Sequence, residues 1–524
     1  SCAISCKGLH KGEKEEKMTE KELMEQEYRK KMEEHRQRMA MLREKRKRER
    51  TFHVVLFFLL LLLVVLSFVG LRFALPYMEK RGLFSFHKQQ APSWEKEVEP
   101  LSGSELSEEA GKKGEQGKEN SATTEEEAVK TADLLAKQYN YDEAIETLQK
   151  FNPASGSNLS EKIAGYEAEK AKAEPVDMDQ ITHIFFHILI VDTDRALTNT
   201  HQGKQFNSVM TTIPEFKEII QEMYDRGYVM VHLHDIAQME KQPDGSMKMV
   251  KKEIRLPEGK KPFVMSQDDV NYYIYMQGKG FADKMVLDEK GKPKLQYTDK
   301  DGKVSIGDYD IVPILDDFIE KHPDFAYHGH KATLAFTGYN GVLGYRTDET
   351  FDPKSPALDP KNKANPNIEE DKETVKKLTK ALKEDGYEFA SHSWGHINFS
   401  ERTAADIEKD TDRWERNVEP LLPDPCDILL YPFGADIGDW HPYQSGGENG
   451  KYDLLEKAGF RYFCNVDSTK IWMQYGDQFL RQGRRNIDGY RLYESYSGKA
   501  DRVSDLFDVK KVFDTRRPTP IDWQ

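Results

Sequence analysis

The chain has 524 residues, of which 32% are charged and 38% are hydrophobic, and its formal net charge at pH 7 is −14. This length predicts about two to four structural units. The acidic balance argues against nucleic acid as a partner, because binding to phosphate requires a basic surface. Four cysteines are too few for a disulfide-stapled scaffold in a chain of this size.

The amino-terminal fifty residues are strongly charged. Residues 1–50 carry 16 basic and 11 acidic side chains, which leaves a net charge of −19 for the rest of the chain. Glutamates recur four residues from lysines and arginines, and this spacing predicts a charged helix over 1–50. Because the first methionine is Met18, we base no functional prediction on residues 1–17.

Residues 51–71 form an apolar run of 21 residues without Asp, Glu, Lys or Arg. A helix of that length spans about 30 Å, the thickness of the hydrocarbon core of a bilayer. Six basic residues lie just before it in Met41–Arg50, and the positive-inside bias assigns that side to the cytoplasm. We therefore expect a cytoplasmic helix at 1–50, a transmembrane anchor at 51–75 and a single-pass cell-membrane protein with an extracellular catalytic domain.

A tether and a small helical region are predicted next. Residues 86–124 are polar and rich in Gly, Ser, Glu and Lys, which predicts a flexible extracellular linker over 76–124. Residues 125–151 then predict two amphipathic helices around a Tyr-Asn-Tyr-Asp turn, and a third helix follows. The pair resembles one tetratricopeptide unit, and one unit is too short for a solenoid. We therefore favour a helical spacer at 125–175 over a peptide-binding module.

From about residue 180, apolar β-rich runs alternate with amphipathic helices. His183–Val191 predicts a strand, and Ile213–Gly227 predicts a helix that ends at a glycine. Repeated βα units of this kind predict a largely parallel sheet, either open or closed into a barrel. The interval 238–325 interrupts the rhythm with Gly-, Asp- and Lys-rich hairpins, which we interpret as an insertion over one face.

Three motifs in this region carry side chains that can perform chemistry. Asp268 and Asp269 follow a strand-like run, and adjacent carboxylates at a strand end point in different directions, so one can bind a metal while the other acts as a base. His392 and His396 lie four residues apart after another strand, a frequent arrangement for a divalent ion. A Pro-Phe-Gly turn at 432–434 follows a third buried strand.

In this order and on βα units, the three motifs resemble those of the NodB-type polysaccharide deacetylases, which are α/β carbohydrate esterases with a distorted (β/α) barrel. The resemblance covers about residues 180–500 and implies a deacetylase domain at 176–510. It implies that Asp268 is the general base and that Asp269, His392 and His396 bind a divalent metal. The implied reaction is hydrolysis of N-acetyl groups on N-acetylhexosamine polymers, either peptidoglycan or an exported polysaccharide, by a metal-activated water.

The resemblance also implies a metal and a substrate groove. Zn²⁺ is the expected ion, although the ligand set also admits Co²⁺, Ni²⁺ and Mn²⁺. The expected groove residues belong to the Pro-Phe-Gly turn or are nearby tryptophans: Tyr431, Pro432, Phe433, Gly434, Trp394 and Trp440.

The chain departs from the family pattern around the acid and base. The family's arginine before the Pro-Phe-Gly turn falls at Leu430, which cannot hydrogen-bond the base, and either Arg484 or Arg485 is a candidate replacement. Val270 also stands where the family has a glycine after the two acids.

The family's late Leu-x-x-His motif, which supplies the general acid, has no clear match. His441 is our first candidate for that acid, with His187 and His234 as alternatives.

Two functions therefore remain open at the level of the sequence. The first is a metal-dependent polysaccharide deacetylase, and the alternative is a deacetylase-like glycan-binding or scaffold protein without turnover. The missing arginine and histidine favour the alternative, whereas the retained metal ligands and Asp268 favour the enzyme. Cys426 and Cys464 are predicted to be buried thiols rather than a disulfide.

Overall fold

The computed structural model describes residues 124–154, 156–467 and 470–523. The chain divides into two compact units, Ser1–Gly114 and Glu115–Gln524, and all described residues belong to the second. The predicted helix at 1–50, the predicted anchor at 51–75 and the predicted linker up to residue 123 therefore lie outside the described residues.

A closed barrel of seven parallel strands forms the centre of the described unit. In chain order its strands are β1 (Thr182–Phe186), β2 (Lys261–Gln267), β3 (Thr333–Phe336), β4 (Glu388–Ser391), β5 (Ile428–Leu430), β6 (Tyr462–Val466) and β7 (Leu480–Asn486). Each strand pairs with its neighbours in the chain, and β7 pairs with β1, which closes the ring. The predicted (β/α) barrel is confirmed.

Helices surround this ring and bury its strands. Every position of β1, β3, β4 and β5 is buried, as expected when helices cover the outside of a parallel barrel and side chains fill its inside. The helices are Glu125–Lys137 (α1), Tyr141–Gln149 (α2), Asn158–Lys172 (α3), Thr193–Ala196 (α4), His201–Val209 (α5), Ile213–Asp225 (α6), Ile311–Lys321 (α7), Ile368–Glu384 (α8), Ala404–Asn417 (α9), Lys451–Ala458 (α10), Gly489–Tyr496 (α11) and Val509–Val512 (α12).

The local sequence explains where these helices begin. At α6, the Thr212 side chain accepts a hydrogen bond from the backbone of Glu215, and the Glu215 side chain accepts one from the backbone of Thr212. This reciprocal capping box satisfies two backbone donors that the first helical turn would otherwise leave unpaired. The helix ends just before Gly227, whose φ of +81° suits a glycine.

The three amino-terminal helices pack directly on the barrel. Ala132 of α1 and Leu148 of α2 share one buried cluster with Ala335 of β3 and Tyr462 of β6. The Tyr139 hydroxyl also donates a hydrogen bond of 2.9 Å to the carbonyl oxygen of Asp324. These helices therefore belong to the same hydrophobic core as the barrel strands.

The interval 238–325 contains two separate additions with β2 between them. The antiparallel hairpin Ala237–Lys241 and Met247–Lys251 precedes β2, and a three-stranded antiparallel sheet follows it. That sheet consists of Lys284–Leu287, Pro293–Thr298 and Val304–Gly307. The remaining strands outside the ring are Glu174–Pro175, Tyr228–Met230, Arg255–Leu256 and Met473–Tyr475.

The predicted localisation needs correction. Within 124–154, 156–467 and 470–523, no helix combines the length and the apolar character required to cross a bilayer. The longest helix of these ranges, α8, has 17 residues and many charged side chains, whereas a membrane-spanning helix needs about 20 apolar residues. The described residues therefore do not support the predicted single-pass cell-membrane localisation, and the predicted anchor at 51–75 lies outside them.

A buried ion pair ties the carboxyl-terminal segment to α6. The Arg517 guanidinium donates to both carboxylate oxygens of Glu215, at 2.7 and 2.5 Å, and both side chains are fully buried. We expect Arg517→Met to lower the free energy of unfolding by about 3–5 kcal/mol, because the substitution leaves a buried carboxylate without its counterion. Urea denaturation of the purified variant measures this change.

The neighbouring Arg516 provides the matched control. Its guanidinium pairs with Asp514 but is 58% exposed, so Arg516→Met should cost less than about 1 kcal/mol. Equal costs for the two variants would contradict the assigned role of the buried pair.

Candidate metal centre and active site

The residues of the first two motifs meet at the carboxyl end of the barrel. Asp268 and Asp269 directly follow β2, and His392 directly follows β4, so parallel strand direction brings them to the same rim. Ligand atoms of Asp269, His392 and His396 all lie within 4.8 Å of one another. Two imidazoles and one carboxylate in this arrangement fit a divalent cation with open coordination positions.

A backbone contact orients the first of these histidines. His392 Nδ1 lies 2.7 Å from the carbonyl oxygen of Leu430, and because a carbonyl only accepts, Nδ1 carries the proton. Nε2 is then the free ligand atom, and it lies 3.7 Å from Asp268 Oδ2. Burial lowers the pKa of His392 to about 4, so the imidazole is neutral at pH 7, as metal binding requires.

A tyrosine holds the carboxylate ligand. Asp269 Oδ1 accepts a hydrogen bond of 2.6 Å from the Tyr273 hydroxyl, which also lies 2.7 Å from Thr337 Oγ1. Asp269 Oδ2 lies 3.9 Å from His396 Nε2. Burial raises the pKa of Asp269, but the nearby histidines outweigh this effect and lower it below its ordinary value. Sequence reasoning missed this role of Tyr273, although the Asp-x-x-x-Tyr spacing carries the signal.

Of the two candidate arginines, Arg484 supplies a guanidinium to Asp268. Its Nη1 lies 2.6 Å from Asp268 Oδ1, and both side chains are buried. Burial raises the pKa of Asp268, but the charge and hydrogen bond of Arg484, together with the nearby His392 and His187, outweigh this effect and hold the pKa well below its usual range. Arg485, the other candidate, pairs instead with Asp505 at 2.8 and 2.9 Å.

The backbone around the site is strained at several residues. Asp269, His396 and Phe433 have φ values of +61°, +50° and +58°, which non-glycine residues rarely adopt. At Gly434, which also has a positive φ, an added Cβ would lie 2.3 Å from the Cβ of Val466, so the turn requires glycine. Such conformations persist only where the surrounding structure imposes them, and they concentrate at functional sites.

The predicted groove residues fall into exposed and buried sets. Phe433 is 70% exposed, and its ring centroid lies 4.5 Å from that of His396. Trp440 is also 70% exposed and packs on His441. Tyr431 and Pro432 are buried beneath the turn, so they support Phe433 rather than face solvent.

Trp394, between the two histidines, packs against the barrel core. Its indole Nε1 donates a hydrogen bond of 2.7 Å to Asp348, and the Arg413 guanidinium lies 3.2 Å from its ring centroid. These contacts hold the indole in place and support the loop that carries the two histidines.

The three candidate acids lie in different parts of the molecule. His187 follows β1 at the rim of the site, and its charge lowers the pKa of both Asp268 and Asp269. His441 is exposed, and its Nδ1 lies 2.8 Å from Asp439 Oδ1. His234 contacts Glu388 and Asp427 at the opposite end of the strands, a placement that the sequence did not indicate.

A buried carboxylate lies close to His187. Asp488 follows β7, and its carboxylate accepts hydrogen bonds from the Arg491 backbone at 2.8 Å and from the Asn486 side chain. Burial raises the pKa of Asp488, and the nearby His187 acts in the opposite direction. Sequence reasoning missed Asp488, because no motif links residues so far apart in the chain.

Comparison with solved structures finds deacetylases at low sequence identity. A Streptococcus pyogenes deacetylase, PplD, in complex with acetate is 13% identical, with 60% of this chain and 93% of that chain covered and a TM-score of 0.30. A de-N-acetylase from Aggregatibacter actinomycetemcomitans is 14% identical, with 59% and 95% covered and a TM-score of 0.33. The BpsB deacetylase domain from Bordetella bronchiseptica is 12% identical, with 60% and 99% covered and a TM-score of 0.30.

Comparison by sequence finds one match among protein families. No curated protein sequence matches the chain. Residues 325–443 match the family model described as polysaccharide deacetylase. The matched residues include β3, β4 and β5 together with His392, His396 and the Pro-Phe-Gly turn, whereas Asp268 and Asp269 lie before them. The match supports a polysaccharide deacetylase function at the level of the family.

Proposed function

We propose that the protein is a metal-dependent polysaccharide N-deacetylase that hydrolyses acetyl groups of N-acetylhexosamine polymers. The observation that carries the proposal is the triad of Asp269, His392 and His396 beside the buried pair of Asp268 and Arg484. This combination provides a cation site and an ionised base at one rim of the barrel, which amide hydrolysis by water requires.

The metal ligands have the donor types that Zn²⁺ prefers, and Zn²⁺ is the ion that we propose. When bound, such an ion acts as a Lewis acid that polarises a carbonyl and lowers the pKa of water. The hydrogen bonds from His392 to Leu430 and from Tyr273 to Asp269 fix the directions of two ligands. Outer contacts of this kind orient metal ligands and raise affinity for the ion.

Asp268 is the proposed general base. Arg484 keeps its carboxylate ionised and holds Oδ1, which leaves Oδ2, 3.7 Å from His392 Nε2, to accept a proton from the attacking water. The amide nitrogen of the departing sugar becomes basic as its bond to the acetyl carbon breaks, so the proton has a strong final acceptor.

His187 is the proposed general acid, in place of His441. Its position after β1 and its electrostatic interaction with both motif acids support this role, whereas His441 is paired with Asp439 on an exposed loop. The buried carboxylate of Asp488 lies near His187 and interacts with it electrostatically.

Phe433 supports a polymeric carbohydrate as the substrate. Its exposed ring beside His396 offers an apolar face on which a sugar ring can stack while the acetyl group faces the metal site. The glycan-binding alternative rested on the missing arginine and the missing late histidine. Arg484 supplies a guanidinium to the base, and His187 is the proposed acid. We therefore favour turnover over binding alone.

The base is tested by Asp268→Asn in the full chain. We expect acetate release from N-acetylglucosamine oligomers and from peptidoglycan to fall by about 10²–10⁴-fold, because the substituted amide cannot accept the proton. The zinc content should stay the same, since Asp268 is not one of the three ligands. Failure of the metal-loaded wild type to release acetate, with oligomer binding retained, would favour the glycan-binding alternative.

The role of Arg484 is tested by the pH dependence of activity. Arg484 lowers the pKa of Asp268, so Arg484→Met should raise that pKa and cause the base to protonate at higher pH. We expect the acidic limb of kcat/KM to move upward by about 1–3 pH units. Arg485→Met, which removes a pair with Asp505 instead, should leave this limb in place, and an equal shift in both variants would contradict the assignment.

The general acid is tested by comparing two histidines. His187→Gln should lower kcat by at least about 10²-fold without loss of bound zinc, because the leaving amine loses its proton donor. His441→Gln should leave kcat within about twofold of wild type. The opposite result would restore His441 as the acid. Steady-state acetate release and metal analysis of the same preparations provide both readouts.

A further inference from the structure

A second group of histidines and carboxylates lies at the amino end of the barrel, opposite the proposed active site. His232 and Asp235 follow the strand Tyr228–Met230, which pairs with the first residues of β2. His330 precedes β3, and Glu388 is the first residue of β4. None of these side chains takes part in the reaction proposed above.

Three of these residues present ligand atoms to one another. Atoms of His232, Asp235 and His330 all lie within 4.8 Å of each other. Asp235 Oδ2 lies 2.7 Å from His330 Nδ1. The two imidazole rings are stacked, with centroids 4.1 Å apart and an angle of 2° between their planes. The two stacked rings therefore lie next to the carboxylate of Asp235, which is only 5% exposed.

The tautomer of His232 leaves one nitrogen free for a ligand. Its Nε2 lies 2.9 Å from the carbonyl oxygen of Gly386, so that nitrogen carries the proton. Nδ1 then has the available lone pair, and it lies 3.7 Å from Glu388 Oε2. A histidine whose second nitrogen donates to a backbone carbonyl is the usual form of a metal ligand. His392 in the proposed active site has the same arrangement through Leu430.

The carboxylate is held in the same way. Asp235 Oδ2 accepts a hydrogen bond of 2.8 Å from the backbone N–H of His232, which fixes the side chain within its own turn. Glu388 is held by the Leu233 backbone at 3.1 Å, by Thr333 at 2.7 Å and by His234 at 2.8 Å. The cluster is therefore pre-organised by backbone hydrogen bonds and by contacts of Glu388, a requirement for precise metal geometry.

We propose that His232, Asp235 and His330 form a second divalent-metal site at the amino end of the barrel, with Glu388 as the nearest further oxygen ligand. Two imidazole nitrogens and carboxylate oxygens are a donor set for Zn²⁺. The ion neutralises a buried carboxylate and links the loop after Tyr228–Met230 to the loop before β3.

The role of this site is structural. Residues at the amino end of barrel strands contribute to stability, whereas catalytic groups occupy the carboxyl end. The His328 backbone donates to the carbonyl oxygen of Gln138 at 2.8 Å, so the loop that carries His330 also holds the connection between α1 and α2. Metal bound at His330 therefore stabilises the docking of the amino-terminal helices on the barrel.

Metal stoichiometry tests the proposal independently of activity. The full chain is stripped with a chelator and titrated with Zn²⁺, and bound metal is counted by elemental analysis after gel filtration. We expect two equivalents for the wild type and one for His330→Ala. His396→Ala, which removes one of the three proposed metal ligands of the active site, should also retain one equivalent. The variant that combines His330→Ala with His396→Ala should retain none.

Cobalt spectroscopy distinguishes loss of the second metal site from misfolding of a variant. The His396→Ala variant loaded with Co²⁺ should keep a visible absorption band from the second site, and Asp235→Asn in that background should abolish or shift the band. His322→Ala, a histidine outside the cluster, should leave stoichiometry and spectrum unchanged. One equivalent in the wild type that disappears with His396→Ala alone would overturn the second site and leave the proposed function intact.

Thermal unfolding gives a further readout. In the His396→Ala background, Zn²⁺ at about 100 times its dissociation constant should stabilise the fold by about 2.7 kcal/mol, and His330→Ala should remove this effect. If Zn²⁺ leaves the melting temperature of the His396→Ala variant unchanged, the structural role is wrong.

Discussion

Hydrogen bonding between β2 and β3 is one of the pairings that make the ring of seven strands continuous, and the geometry of the site depends on that closed ring. The pairing is short, from Thr333 to Ser266 and from Leu334 to Gln267, but it lies directly before the two motif acids. Because all seven strands are parallel, closure brings every carboxyl end to one rim. Residues that are far apart in the chain, Asp269 and His392 among them, thereby face the same space.

The buried pair of Asp268 and Arg484 shows how closure substitutes for a lost motif residue. The two side chains are 216 residues apart; Asp268 directly follows β2 and Arg484 lies on β7, and these two strands are separated in the ring only by β1. Removing two charges from water is costly, so such a pair is weak support for stability by itself. Its value lies in holding an ionised carboxylate in one orientation next to the metal ligands.

A histidine that donates to a backbone carbonyl oxygen occurs at both ends of the barrel. At the carboxyl end, His392 donates to a backbone carbonyl and its other nitrogen faces strained loop residues that include Asp269. At the amino end, His232 also donates to a backbone carbonyl, and Asp235 accepts a hydrogen bond from the His232 backbone within the same turn. Positive φ angles occur near both clusters, since His328 has a φ of +52°, whereas the exposed ring of Phe433 lies beside His396 of the first cluster. That exposed ring is consistent with substrate binding at the carboxyl end.

The sequence by itself determined the order of the βα units, the candidate metal ligands and the candidate base, and the turn that exposes Phe433. These features depend on local periodicity and on residue types at short spacings, which a single chain displays directly. Val270, which looked like a departure from the family pattern, is buried after β2 and fits the core.

Only the tertiary structure decided the partners of these residues. Arg484 rather than Arg485 pairs with Asp268 because alternate residues of β7 point to opposite sides of the barrel wall. Leu430 orients His392 through its backbone carbonyl oxygen, and a motif of side-chain types cannot indicate a backbone contact. His187 reaches the motif acids, and His234 reaches the amino end, because strand direction and ring closure set which loop ends share a rim. Contacts between such distant positions follow from the packing of the whole ring, so no local pattern in the sequence could specify them.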